Sequence, residues 1–314
     1  MRCSPSVWSS LACTCVLVVG LFTAGCATTS TPSPPRMGAE VPPGQDVKLA
    51  VYNIAFGALV GGAGALINGS DAPPLRRFAR GAGWGAAGGS AAYAGKWLAG
   101  GIGASESLAW GWPSVLLHAA GTSVVENAAY DRPPLDRLSV DVAFLRLDVI
   151  PSSGAVRARV MPVSAISLVL MAAEHDLDLG RSLALGFPVF TGDGPAFAPL
   201  NLSGRATDGF AFPGSVYLAA GTSYELVGHE LIHILQLREF ARMAVLYAPL
   251  DRSLARSSMY RALSRWIYLD NPAMMVVAYY GIEGGARAFP CYFNNWLERE
   301  AEAFGYRRPV ETCS

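Results

Sequence analysis

The chain is 314 residues long and 52% hydrophobic, with 15% charged residues divided equally into 24 basic and 24 acidic side chains. That much apolar surface excludes a disordered chain, and the balanced charge leaves no electrostatic footprint for nucleic acid. Such sparse charge, beside 34 glycines and 21 prolines, also argues against an ordinary cytosolic enzyme, where charged residues average about 25%.

Residues 1–25 read as an export signal. Arg2 is the single charge before Arg36, and the apolar run from Val7 to Phe22 is short for a membrane span. The run ends in Thr23-Ala24-Gly25-Cys26. Small residues before a cysteine at that point resemble a bacterial lipoprotein signal. The resemblance implies cleavage before Cys26, an acyl anchor on Cys26 in the lipid bilayer and, with Ala27 following, an outer-membrane location facing the periplasm. Residues 26–46 are rich in Thr, Ser and Pro, a composition suited to a tether rather than a core. Beyond the signal, Cys291 and Cys313 are an even pair that an oxidising compartment would join in one disulfide.

Residues 47–137 are rich in Gly and Ala. Apolar stretches at 49–67, 78–102 and 108–130 predict a helical hairpin followed by a third helix. Gly57 and Gly61 are four apart, as are Gly81, Gly85 and Gly89. Small residues at that spacing line one helix face and let two backbones approach closely. Each mid-helix glycine costs about 1 kcal/mol against alanine, so tight helix packing or lipid must offset it. The region therefore reads either as membrane-associated or as a soluble, closely packed helical unit. Arg76, Arg77, Arg80, Lys96 and Asn53 interrupt its apolar pattern. Glu126 and Asn127 read as members of a structural polar network, and His118 as a satisfied core histidine.

From residue 138 to 314 the texture changes, and the expected fold class is α+β. Alternation over 140–145, a turn at Pro151-Ser-Ser-Gly154 and alternation again over 156–160 predict a hairpin. Further strands are expected at 166–171, 183–190 and 216–219, giving a mixed or antiparallel sheet. His175 falls in a polar connector, and residues 256–267 predict an amphipathic helix.

The chemistry is concentrated after residue 222. Thr222 and Glu225 have capping-box spacing and predict a helix start. His229 and His233 then lie four apart on one helix face, where two imidazoles can hold one Zn²⁺. Glu230 sits beside the first, placed to take a proton from water. With four histidines in 314 residues, chance places roughly 0.002 such His-Glu-x-x-His motifs in the chain. Leu226, Val227, Leu231, Ile234 and Leu235 surround the trio with apolar side chains. A hydrolytic zinc needs a third protein ligand. Residues 294–304 read as a second helix on which Glu298 and Glu302 share a face while Glu300 points elsewhere. Asn295 and Glu298 also have capping-box spacing.

These two helices resemble the gluzincin class of zinc metallopeptidases, which includes thermolysin-like enzymes and the HtpX and CAAX-processing membrane peptidases. The resemblance implies a zincin-like half with an active-site helix and a Glu-bearing helix. Glu298 becomes the third ligand, with Glu300 as the alternative, and Glu302 the carboxylate that orients a ligating histidine. It further implies hydrolysis of peptide or protein substrates with Glu230 as general base. Tyr279, Tyr280, Tyr306 or Arg307 would serve as oxyanion donor, and an edge strand, placed at 216–219, would bind extended peptide. The alternative reading is a non-enzymatic envelope lipoprotein with membrane-associated glycine-rich helices and a structural or degenerate metal site.

Overall fold

In the first half, glycine spacing dictates the packing. Helix α1 (Pro43–Asn68) and helix α2 (Pro74–Ala99, begun by a proline) form an antiparallel hairpin. A Cβ placed on Gly57 would lie 2.3 Å from the Gly85 carbonyl oxygen, and one on Gly61 would lie 2.4 Å from that of Gly81. The two backbones are in direct contact along the spacing read from the sequence. A computed structural model describes the chain over residues 43–192, 208–269 and 295–306. Cys26, Cys291, Cys313, Tyr279, Tyr280 and Arg307 lie outside the described residues.

A short helix, α3 (Gly101–Ser105), leads to α4 (Gly111–Ala129), which crosses α2. His118 lies in that crossing, 1% exposed, and its Nε2 finds no hydrogen-bond partner among the described residues. It is a core histidine but not a satisfied one. Burial, then the nearby Lys96 and Arg238 charges, hold its pKa well below the ordinary value, so it stays neutral. By length and composition Asp46–Asn68 could cross a membrane. Here one face of that helix packs on α2, and its Asn53 is fully buried. Val51 and Leu59 are exposed on the other face.

The chain is α+β with two small sheets. β1 (Leu138–Val142), β2 (Leu145–Ile150) and β3 (Ala155–Val160) form an antiparallel meander. The single strand expected over 140–145 is broken by a tight turn in which Ala143 adopts φ 52°. The apolar stretch expected as a strand at 166–171 is instead helix α5 (Pro162–Glu174). Pro162 starts it, and the buried Ser164, Ser167 and Met171 recur at helical spacing. Similarly, the strand expected at 183–190 divides. Helix α6 (Leu179–Leu185) is capped by Asp178 and ended by Gly186 at φ 80°, and β5 (Val189–Gly192) begins afterwards.

The second sheet is mixed, with β4 (Asp176–Leu177), β5, β7 (Ser215–Ala219) and β6 (Gly209–Phe212) in that spatial order. β5 and β7 run parallel, while β6 pairs antiparallel with β7. Behind it runs helix α7 (Tyr224–Ala241), followed by the short helices α8 (Ala248–Leu254) and α9 (Ser258–Leu263). α9 covers only the middle of the helix expected over 256–267. Helix α10 (Trp296–Gly305) packs on α7.

One core joins the two compositional regions: Leu49, Ile102 and Val115 cluster with Leu218, Leu231 and Phe304. A buried ionic web braces the seam. Glu126 on α4 pairs with Arg137 at 3.0 Å, Arg146 at 2.6 Å and Arg242 at 3.3 Å. Burial would raise the Glu126 pKa, but Arg146 and Arg137 hold it below the ordinary carboxylate value. Asn127 donates to the Pro134 and Arg137 carbonyls, so both residues serve the network that the sequence indicates.

Candidate metal centre

Two capped helices bring the candidate site residues together. Ser223, rather than Thr222, caps α7: its hydroxyl accepts from the Leu226 N–H at 3.4 Å. The Thr222 hydroxyl donates instead to the Ala219 carbonyl. On α10, Asn295 accepts from the N–H groups of Leu297 at 2.9 Å and Glu298 at 3.4 Å. The Glu298 backbone thus belongs to the cap, while its carboxylate turns to the histidines. Close approach of the helices depends on Gly305, where a Cβ would come within 2.6 Å of the His229 nitrogen.

The His229 and His233 Nε2 atoms are 3.1 Å apart. Glu298 Oε2 lies 3.3 Å from His233 Nε2 and 3.5 Å from His229 Nε2. All three residues are buried, and among the described residues Glu298 Oε2 has no hydrogen-bond partner. Tetrahedral zinc with bonds of 2.0–2.1 Å would separate its donors by about 3.3 Å. The triangle therefore fits one such ion, and His229, His233 and Glu298 could hold a metal ion.

The remaining ring nitrogens face acceptors. His229 Nδ1 lies 3.6 Å from Glu302 Oε2, and the Tyr306 ring stands edge-on to His229 with centroids 5.8 Å apart. His233 Nδ1 lies 2.8 Å from Gln236 Oε1. Glu300 is placed elsewhere, beneath the site. Its Oε2 accepts from Lys96 Nζ at 2.9 Å and Gln236 Nε2 at 2.8 Å, and its Oε1 accepts from Asn53 Nδ2 at 2.6 Å. Of the two glutamates read as alternative ligands, Glu298 is the one against the imidazoles.

The electrostatics follow from burial and proximity. Burial disfavours the His233 imidazolium, but Glu298 outweighs it and raises the pKa to about 9. Burial likewise opposes the charged form of Glu298, yet the two imidazoles hold its carboxyl well below the ordinary range. For Glu230, burial wins over the attraction of His229 and His233 and pushes the pKa up.

Glu230 points toward β6: a Cβ on Gly209 would lie 2.7 Å from its Oε1. This corrects the edge strand expected at 216–219. That segment is β7, paired on both sides by β5 and β6, and among the described residues the edge beside the helix is β6. Its signal in the sequence is faint, because Gly209-Phe-Ala-Phe212 is four residues long and starts with glycine. Sequence reasoning also missed Gln236, one turn beyond His233, and the role of Lys96, which reads there as an interruption.

Compared with known proteins, the chain matches no family model, no curated protein and no solved structure.

Proposed function

We propose that the chain is a zinc metallopeptidase of zincin-like design, anchored in the bacterial cell envelope through Cys26. The observation that carries this reading is the convergence of His229, His233 and Glu298 on one buried point, with Glu230 on the adjoining face of α7. Zinc held there supplies a Lewis acid that polarises a carbonyl and acidifies water. Gln236 turns the His233 imidazole so that its Nε2 lone pair faces inward, and Glu302 stands 3.6 Å from His229 Nδ1 as the nearby carboxylate. Glu230, buried beside the two imidazoles, takes the proton of the attacking water and returns it to the leaving amine. Among the described residues β6 has one unpaired side, where an extended substrate can add as a further strand beside Glu230.

The test is metal stoichiometry on the full chain. About one zinc per chain is expected. Glu298→Ala should abolish uptake at equimolar metal, whereas Glu300→Ala should only weaken it. Binding Zn²⁺ would require His233 to give up a proton, so affinity should rise with pH until about 9. A parent chain without zinc, or Glu298→Ala with full occupancy, overturns the assignment.

Gly209 supplies a finer check. A methyl group at Gly209 meets the Glu230 carboxylate head-on, and that carboxylate is the mobile end of its side chain. Gly209→Ala should therefore lower kcat by about 10- to 100-fold through misplacement of the base, with zinc content unchanged. Equal kcat in parent and variant would separate β6 from the reacting centre.

A further inference from the structure

The glycine-rich hairpin ends in a buried polar chain that reaches the metal centre. Lys96, on α2, is fully buried, and its ammonium touches Glu239 at 2.6 Å, Asn53 at 2.8 Å and Glu300 at 2.9 Å. Asn53 comes from α1 and donates to Glu300 as well. Both helices of the hairpin thus hold one carboxylate of α10. That carboxylate then holds Gln236.

The hydrogen-bond inventory of Gln236 decides its orientation. A primary amide has two N–H donors and one carbonyl acceptor. Gln236 Nε2 spends its donors on Glu300 Oε2 at 2.8 Å and on the Leu297 carbonyl at 2.9 Å. Neither partner can donate, so the amide cannot flip. Its Oε1 is left facing His233 Nδ1, which must therefore carry the proton. The lone pair of His233 then lies on Nε2, the atom that faces His229 and Glu298. With the amide reversed, an N–H would meet Nδ1, and the proton would sit on the ligating nitrogen.

We infer that the glycine-rich hairpin is a working part of the metal centre, in which Lys96 and Asn53 fix Glu300, Glu300 fixes the Gln236 amide, and Gln236 fixes His233 as an Nε2 ligand. This rests on the metal reading proposed above and assigns a role to a segment that the catalytic motifs leave idle. Lys96, Glu300 and Gln236 are positioning residues. The arrangement also explains a charge imbalance: one ammonium faces two carboxylates. Lys96–Glu239 ties the hairpin to α7, whereas Glu300 is the member that extends the chain to Gln236.

The experiment titrates the full chain with Zn²⁺ against a competing chelator, and records the visible spectrum of the Co²⁺-loaded protein. The variants are Gln236→Leu, Glu300→Gln and Lys96→Met. A glutamine at 300 can present its own N–H to Gln236 and so permit the flip. Gln236→Leu and Glu300→Gln should each bind Zn²⁺ about 10- to 100-fold more weakly, with altered Co²⁺ bands and a melting temperature near that of the parent. Lys96→Met leaves two buried carboxylates uncompensated and should melt earlier; if it does not fold, the other two variants decide. Folded Gln236→Leu and Glu300→Gln chains with parental affinity and Co²⁺ spectrum overturn the inference while the metal reading stands. A parent that takes up no Zn²⁺ overturns both.

Discussion

Glu230→Gln should lose peptide hydrolysis by about 10²- to 10⁴-fold, the usual worth of a positioned general base, while retaining zinc. The substitution keeps the shape of the side chain and removes its basicity. Its neighbours make the comparison clean. Glu230 is not one of the three converging donors, and its carboxylate lies against Gly209, where a Cβ would come within 2.7 Å of its Oε1. A glutamine fits the same space, so zinc stoichiometry and melting should match the parent. The parent should also show an acid limb set by this residue. Only the ionised carboxylate can take a proton. Activity must therefore fall once the pH is low enough to protonate Glu230. Assay of a denatured generic protein substrate and short peptides, from acid to neutral pH, reads both effects. Undiminished hydrolysis in the variant sinks the mechanism. A zinc-loaded parent with no hydrolysis at all would favour the structural metal fold instead.

What could be read from sequence was whatever repeats locally. The pair His229 and His233 shares a helix face by spacing alone, as do Glu298 and Glu302, so the site residues could be placed before their distances were known. Gly57, Gly61, Gly81 and Gly85 likewise advertise a close helix pair. Long-range pairing left no such trace. Lys96 meets partners 143 and 204 positions away, and Asn53 meets one 247 positions away. From local pattern, a buried lysine and an interruption of an apolar stretch look the same. Short apolar runs failed for a different reason. Residues 166–171 satisfy both strand and helix patterns, and only Pro162 at the helix start and burial at Ser164, Ser167 and Met171 separate them. The edge strand was misplaced because position in a sheet depends on the partner order, β4-β5-β7-β6, which no single strand encodes.

Gly85→Ala should destabilise the chain by about 3 kcal/mol, whereas Gly83→Ala, two residues earlier on the same helix, should be neutral or stabilising. The contrast isolates packing from propensity. Both substitutions relieve a mid-helix glycine, worth up to about 1 kcal/mol in favour of alanine. At Gly83 a Cβ meets nothing within 4 Å, so that gain is kept. At Gly85 the Cβ would lie 2.2 Å from the Gly57 carbonyl oxygen and 2.9 Å from its carbon. Those atoms are backbone and cannot rotate away, so α1 and α2 must separate. Melting should fall by about 6–12 °C for that loss. The separation has a second consequence, because Asn53 and Lys96 sit on the two helices being forced apart and both hold Glu300. Zn²⁺ affinity should therefore drop along with stability in Gly85→Ala, and remain parental in Gly83→Ala. Calorimetry and chelator competition on the same samples measure the two effects. If Gly85→Ala melts early yet binds Zn²⁺ as the parent does, the hairpin packs against the site without tuning it. If it melts like the parent, the glycine contact is not what holds the helices together.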